Sequence, residues 1–169
     1  GLPEWAEAGQ GGEEPPRRGW HQVPLIPGLY IFPGFLSELE EQALLAWLDG
    51  GQAWRPSSSN GECRSKRWGV RTDLLRRSVR PAAPSLGEEE MPQELLALAR
   101  KLSESAASCA PLGGLLRDFW PNEANANEYV RARGDSLTPH FDDRFLSGPL
   151  LAGLSLAADC IMTYHEHPA

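Results

Sequence analysis

The sequence predicts an α+β chain in which helices come first and a β-rich end follows. Three observations carry that reading. Two stretches, one opening at Ser37 and one at Pro92, repeat apolar residues at helical spacing. The stretch "KRWGVRTD" alternates every second residue, as a strand does. After Phe119 the texture changes to short apolar runs separated by turn residues.

Taken in order, residues 1 to 24 are rich in Gly, Pro and Glu and read as a flexible leader. Trp5 and Trp20 are its only large anchors, and His21 within it reads as solvated. The folded part is expected from residue 25 to residue 169. In "PLIPGLYIFPGF", Leu29, Ile31, Phe32 and Phe35 suggest a short strand running into a turn at Pro33-Gly34. Ser37 and Glu40 form a Ser-x-x-Glu capping box, so a helix should run from there through Asp49 and stop at Gly50-Gly51. Leu39, Ala43, Leu44, Trp47 and Leu48 share one side of it. Residues 52–62 read as loop, the alternating "KRWGVRTD" as strand, and residues 81–90 as loop again. Pro92 opens a second helix, with Leu95, Leu98, Ala99 and Leu102 on one face, preceded by acids and closed by Arg100 and Lys101 in line with the helix dipole. "ANANEYV", "LTPHFDD", "LAGLSLAA" and "CIMTYHE" are then the expected strands.

Composition narrows the function classes. At 169 residues, with 41% apolar residues and six tryptophans, the chain is long and apolar enough for one real core. Its net charge of -7 excludes general nucleic-acid coating. The three cysteines, Cys63, Cys109 and Cys160, are far apart and form no Cys-x-x-Cys, which fits reduced thiols inside the cell, in nucleus or cytoplasm. The longest apolar run, "PLLAGLSLAADCIM", is broken by Asp159 and falls short of the roughly 20 residues that span a bilayer, so no membrane partner is expected.

The chemistry concentrates in "NANEYVRARGDSLTPHFDD". If His140 and Asp142 lie in a strand, they point to one side with Phe141 opposite. An imidazole and a carboxylate side by side suit two adjacent positions on a ferrous ion, in the arrangement of two histidines and one carboxylate that leaves room for a cosubstrate and dioxygen. The same period places Asn127 and Tyr129 on one face, an amide and a phenol suited to a carboxylate ligand. His-x-Asp is a common pair, and the plain alternative is a histidine bonded to a neighbouring carboxylate. The combination and order of the two pairs make the signal more specific.

Together with "GLYIFPGFLSELEEQALL" near the start and "LLAGLSLAADCIMTYHEHPA" at the end, this stretch resembles the AlkB-like family of Fe(II)- and 2-oxoglutarate-dependent dioxygenases. The resemblance covers about residues 25 to 169 and is strongest after residue 120. It implies helices packed on a double-stranded β-helix, a jelly roll, incomplete at the C-terminus. It also implies His140 and Asp142 as iron ligands and Asn127 and Tyr129 as contacts to 2-oxoglutarate. The implied reaction removes an N-linked methyl from modified nucleic acid, or from a protein as second choice. The family pattern adds a later histidine and a later arginine that would lie beyond Ala169, and the chain opens on Gly1 rather than Met, so both ends are expected to be missing. His165 and His167, the remaining later histidines, align better with a hairpin than with the third ligand.

One further segment stands out. Residues 64–80 hold Arg64, Lys66, Arg67, Arg71, Arg76, Arg77 and Arg80 against the single acid Asp73, a local charge of +6 beside -13 for the remainder. Clustered arginines around Trp68 suit phosphate contact with base stacking, and the position matches a substrate-recognition lid in the resembled family. The competing reading is a solvated hairpin with Trp68 in the core. The corresponding alternative function is a non-catalytic nucleic-acid-binding or interaction module.

Overall fold

The structure, a computed structural model, describes residues 19–57, 61–143 and 145–165. The predicted leader up to residue 18 and His167 lie outside the described residues. The chain falls into two units, residues 1–38 and 39–169.

In the first unit, β1 (His21–Gln22) pairs antiparallel with β2 (Tyr30–Ile31), His21 opposite Ile31. The Val23 N–H donates to the Leu29 carbonyl at 2.9 Å and extends the hairpin. Three aromatic rings close on it edge to face: Trp20 on Phe32 at 5.1 Å and Phe32 on Phe35 at 5.9 Å. Trp20 and His21 are thus part of a folded hairpin, not of a solvated leader.

The second unit is α+β, and its described residues form α-helices, short 3-10 turns and small antiparallel sheets. Helix α1 (Glu38–Gly50) begins directly after Ser37, where the capping box placed its start. Its C-terminal half carries the apolar packing: Leu48 is buried and Trp47 stacks on Trp68 at 5.5 Å, whereas Leu39 is exposed. β3 (Arg55–Pro56), β5 (Arg64–Gly69) and β8 (Glu123–Glu128) form a three-stranded sheet in the order β3-β5-β8. β4 (Gly61–Glu62) pairs with β9 (Ser136–Leu137), and β6 (Arg71–Asp73) with β7 (Ser78–Arg80). Each pairing is antiparallel, and among the described residues no sheet closes into a barrel.

Helix α2 (Gln93–Ala106) starts after Pro92 and runs past the predicted basic end. Arg100 and Lys101 therefore sit in its middle. Arg100 lies over the Trp120 ring and Lys101 pairs with Glu40, so neither cation caps the helix. The extra turn is held by the complete burial of Ala106 and by the Ser105 hydroxyl donating to the Leu102 carbonyl at 2.8 Å. Short α3 (Leu112–Leu115) packs against α2, with the Ser103 hydroxyl donating to the Leu116 carbonyl. The buried residues Leu48, Cys63, Trp68, Leu96, Ala99, Ala106, Leu112 and Leu116 are the core.

The predicted β-rich end forms only in part. "ANANEYV" supplies β8 and "LTPHFDD" gives only its first residue, Leu137, to β9, while "LAGLSLAA" and "CIMTYHE" form no strand among the described residues. A strand satisfies its backbone only through a neighbour. After β9 no ladder forms among the described residues, and the apolar residues Leu151, Leu154, Ile161 and Met162 are exposed.

Candidate metal centre

The β5-β8 ladder fixes which residues of β8 reach which face. Arg64 faces Glu128, Lys66 faces Ala126 and Trp68 faces Ala124, and directly opposed residues share a side. That side is the inner one: Trp68 and Lys66 are 3% and 2% exposed. The alternate set, Asn125 and Asn127, is exposed on the outer side. Tyr129 follows the end of β8 by one residue, half exposed, and its phenol hydrogen-bonds with the Asn127 side chain. Burial pushes the Tyr129 phenol up from its ordinary value, and the Cys63 and Cys160 thiols beside it act the same way; the Asn127 bond works against them. The phenol therefore stays protonated at neutral pH and remains a donor.

Acidic residues clamp the connection from β8 to β9. Arg64 makes a bidentate pair with Glu128 at 2.6 Å, and Arg133 bridges Glu128 at 3.0 Å and Asp135 at 2.6 Å. The Asp135 carboxylate also accepts from the Val130 N–H at 2.9 Å. The guanidinium of Arg64 holds Glu128 below the usual carboxylate range, and that of Arg133 does the same for Asp135.

His140 and Asp142 lie in irregular backbone, not in a strand, yet they meet. His140 Nε2 stands 3.5 Å from Asp142 Oδ1. His140 Nδ1 stands 2.8 Å from the Thr138 carbonyl oxygen. A carbonyl only accepts, so Nδ1 is the donor in this bond, and Nε2 is the ring atom turned to the carboxylate. Two donors on adjacent positions of an ion, each at roughly 2.1 Å from it, are about 3 Å apart, and a backbone carbonyl on the far nitrogen is the usual support of a ligating histidine. The pair fits two cis sites on a divalent ion. Among the described residues no third His, Cys, Asp or Glu completes a cluster, so His165 does not join it.

The structure thus brings the four predicted residues into two close pairs. No hydrogen bond or ion pair joins one pair to the other among the described residues. A cleft of ≈ 550 Å³ opens beside Asp142, lined also by Leu74, Arg77, Phe141, Asp143 and Phe145.

The basic segment divides. Lys66 donates to the Leu48 carbonyl and lies over the Trp54 ring at 4.5 Å, and Trp68 stacks on Trp47 while its indole N–H donates to Glu89 at 2.8 Å. A nucleic acid docked on the surface does not reach these two, because the strand period that put them with the arginines in sequence turns them into the core. Arg64 pairs with Glu128 and Arg71 with Glu88. Arg67, Arg76 and Arg77 remain on the surface, Arg76 beside Asp73 and Arg77 beside Asp143.

Two residues that sequence reasoning passed over shape the site. Thr138 acts only through its carbonyl, which no side-chain pattern reveals. Asp143 accepts from the Phe145 and Leu146 N–H groups at 2.8 and 3.2 Å, and an Asp two residues before the start of an apolar pair is a readable turn signal. Comparison of the chain with family models, with curated proteins and with solved structures finds no match in any of the three.

Proposed function

We propose that the chain carries part of the active site of an Fe(II)- and 2-oxoglutarate-dependent dioxygenase of the AlkB type, on a double-stranded β-helix of which only part of the sheet is formed by the described residues. His140 Nε2 and Asp142 Oδ1 would hold the iron, and the Asn127 amide and Tyr129 phenol would hold the cosubstrate carboxylate. The carrying observation is the His140 geometry, with Nδ1 committed to Thr138 and Nε2 turned to Asp142. It supports the ligand reading because Nδ1 is anchored on a backbone carbonyl while Nε2 and a carboxylate oxygen lie side by side, the arrangement in which a ligating histidine is usually held.

When bound, iron and 2-oxoglutarate would supply the oxidation of an N-linked methyl by dioxygen, one oxygen atom leaving in formaldehyde and the other in the succinate that forms from 2-oxoglutarate as carbon dioxide is lost. The chain's own part is orientation. Thr138 orients the imidazole through its carbonyl, Asp142 supplies the negative donor beside it, and the protonated Tyr129 would donate a hydrogen bond to a bound carboxylate. Methylated nucleic acid is the favoured substrate and a protein the second. Arg67, Arg76 and Arg77 supply surface cations for the former, and a nucleobase would have to be single-stranded or flipped to reach His140. A purely binding module receives less support, since Trp68 and Lys66 are inside. The cysteine spacing supports an intracellular setting.

Titration with Mn(II), followed by electron paramagnetic resonance, tests the ligand pair directly. His140→Ala and Asp142→Ala should each weaken binding at least about tenfold, and His140→Ala should abolish any iron-dependent conversion of 2-oxoglutarate to succinate. Equal Mn(II) affinity in parent and His140→Ala ends the reading.

A further inference from the structure

The loop that carries His140 and Asp142 is not held by a ladder, so something else must fix it. Asp143, the next residue, does so on its own side: one side-chain oxygen accepts from the Phe145 and Leu146 N–H groups, and its carbonyl accepts from the Ser147 N–H. The same carboxylate reaches across to the turn between β6 and β7. Arg77 Nη1 lies 3.2 Å from Asp143 Oδ2, and its guanidinium sits over the Phe145 ring at 5.4 Å. The two residues are 66 positions apart. Arg77 holds this pose with a positive φ of 50°, a conformation uncommon for a side-chain-bearing residue. Strain of that kind persists only where surrounding contacts enforce it. The hairpin turn, closed by the Arg76 N–H on the Asp73 carboxylate, the Asp143 pair and the Phe145 face are the contacts around it, and the Asp143 side chain is 19% exposed.

We infer that Arg77 is a positioning residue for the candidate metal pair: through Asp143 and Phe145 it clasps the turn next to Asp142 and thereby holds His140 and Asp142 in register. The inference rests on the ligand assignment proposed above and adds a residue outside the resembled motif. The basic hairpin then has a task besides surface charge. Its tip closes one side of the cleft beside Asp142 and is bonded to the other side.

The test uses the full chain and two readouts. Hydrogen exchange of the Phe145 and Leu146 amides reports the turn, and Mn(II) titration reports the pair. Arg77→Gln removes the charge and shortens the side chain while keeping a polar end; Arg77→Lys restores the charge at close to the parental reach. A partly exposed pair of this kind alters an equilibrium by about two- to fivefold. Arg77→Gln should speed exchange of both amides and weaken Mn(II) binding by factors of that size, with Arg77→Lys close to the parent in both. Unchanged amide exchange in Arg77→Gln overturns the clasp. Faster exchange with parental Mn(II) affinity overturns the positioning role, while loss of Mn(II) binding in His140→Ala would still uphold the ligand pair. Mn(II) binding that does not depend on His140 removes the ligand assignment and the positioning role together.

Discussion

Gly69 shows how much one missing side chain decides. It ends β5 at a φ of +81°, and a Cβ built there would stand 2.1 Å from the Asn122 carbonyl oxygen. That close approach lets the Val70 N–H donate to the same carbonyl at 2.8 Å and bends the chain from β5 into β6. Gly134 has a similar φ of +71° with open space around it. The two glycines separate two costs. Gly134→Ala should lose only the left-handed penalty, about 1 kcal/mol, whereas Gly69→Ala should lose that and a backbone clash, about 3 kcal/mol or more. Urea denaturation of both variants checks the ordering, and a Gly69→Ala protein as stable as Gly134→Ala contradicts it. Trp68, three per cent exposed and stacked on Trp47, belongs to the same scale. Trp68→Ala should cost about 3–5 kcal/mol in the same measurement, the range for a buried aromatic, and a loss below about 1 kcal/mol would place the ring outside the core. In sequence Trp68 reads equally as a stacking platform for a base and as a core residue. Only its register opposite Ala124 decides, because a small partner across the ladder leaves room for the ring on the inner face.

The elements that were legible are those whose signal is local. Helix α1 follows its capping serine, and α2 follows Pro92, because a helix closes its hydrogen bonds within one stretch of chain. The end of α2 was misplaced since Arg100 and Lys101 are recruited sideways, to Trp120 and Glu40, by contacts no local pattern contains. The β6-β7 hairpin depends on a distant residue too. Glu88 makes two 2.6 Å bonds to Arg80, accepts from the Ala83 N–H at 2.8 Å and lies 3.6 Å from Arg71, so it ties both strands to the following loop. The Arg80 bonds, joined by the Ala83 N–H, hold its carboxyl down to about 2, below the ordinary 4.5. A depressed value means that the folded form favours the ionised group. The contribution of Glu88 to stability is therefore full above about pH 4.5 and is lost as pH falls through the window down to about 2. Thermal melts of parent and Glu88→Gln should differ at pH 6 and converge by pH 2. A constant gap across that range would mean that the ionised Glu88 does not support the hairpin.

For the whole molecule, the candidate site was legible as chemistry and not as geometry. The pairs His140 with Asp142 and Asn127 with Tyr129 do meet, each two residues apart in sequence. The first pair meets through an irregular turn held by Thr138 and Asp143, where the sequence suggested a strand. The jelly roll implied by the resemblance needs long-range ladders, and those depend on neighbours that a single stretch of chain does not name. The consequence is visible between residues 151 and 164. Leu151 is 72% exposed and Ile161 is 94% exposed, with Leu154, Met162 and Tyr164 exposed beside them, and no ladder pairs their backbone among the described residues. Exposed apolar side chains on backbone outside any ladder recruit other chains. Sedimentation equilibrium of this chain should show an average mass that rises with concentration. Leu151→Lys with Ile161→Lys should hold the mass near that of one chain, because two charges on such a segment oppose strand addition. His140→Ala, which leaves the apolar segment intact, should associate as the parent does. A parent that stays monomeric at every concentration would show that these residues are covered in solution, and would leave the 151–164 segment folded against the rest of the chain in a way the exposed side chains do not express.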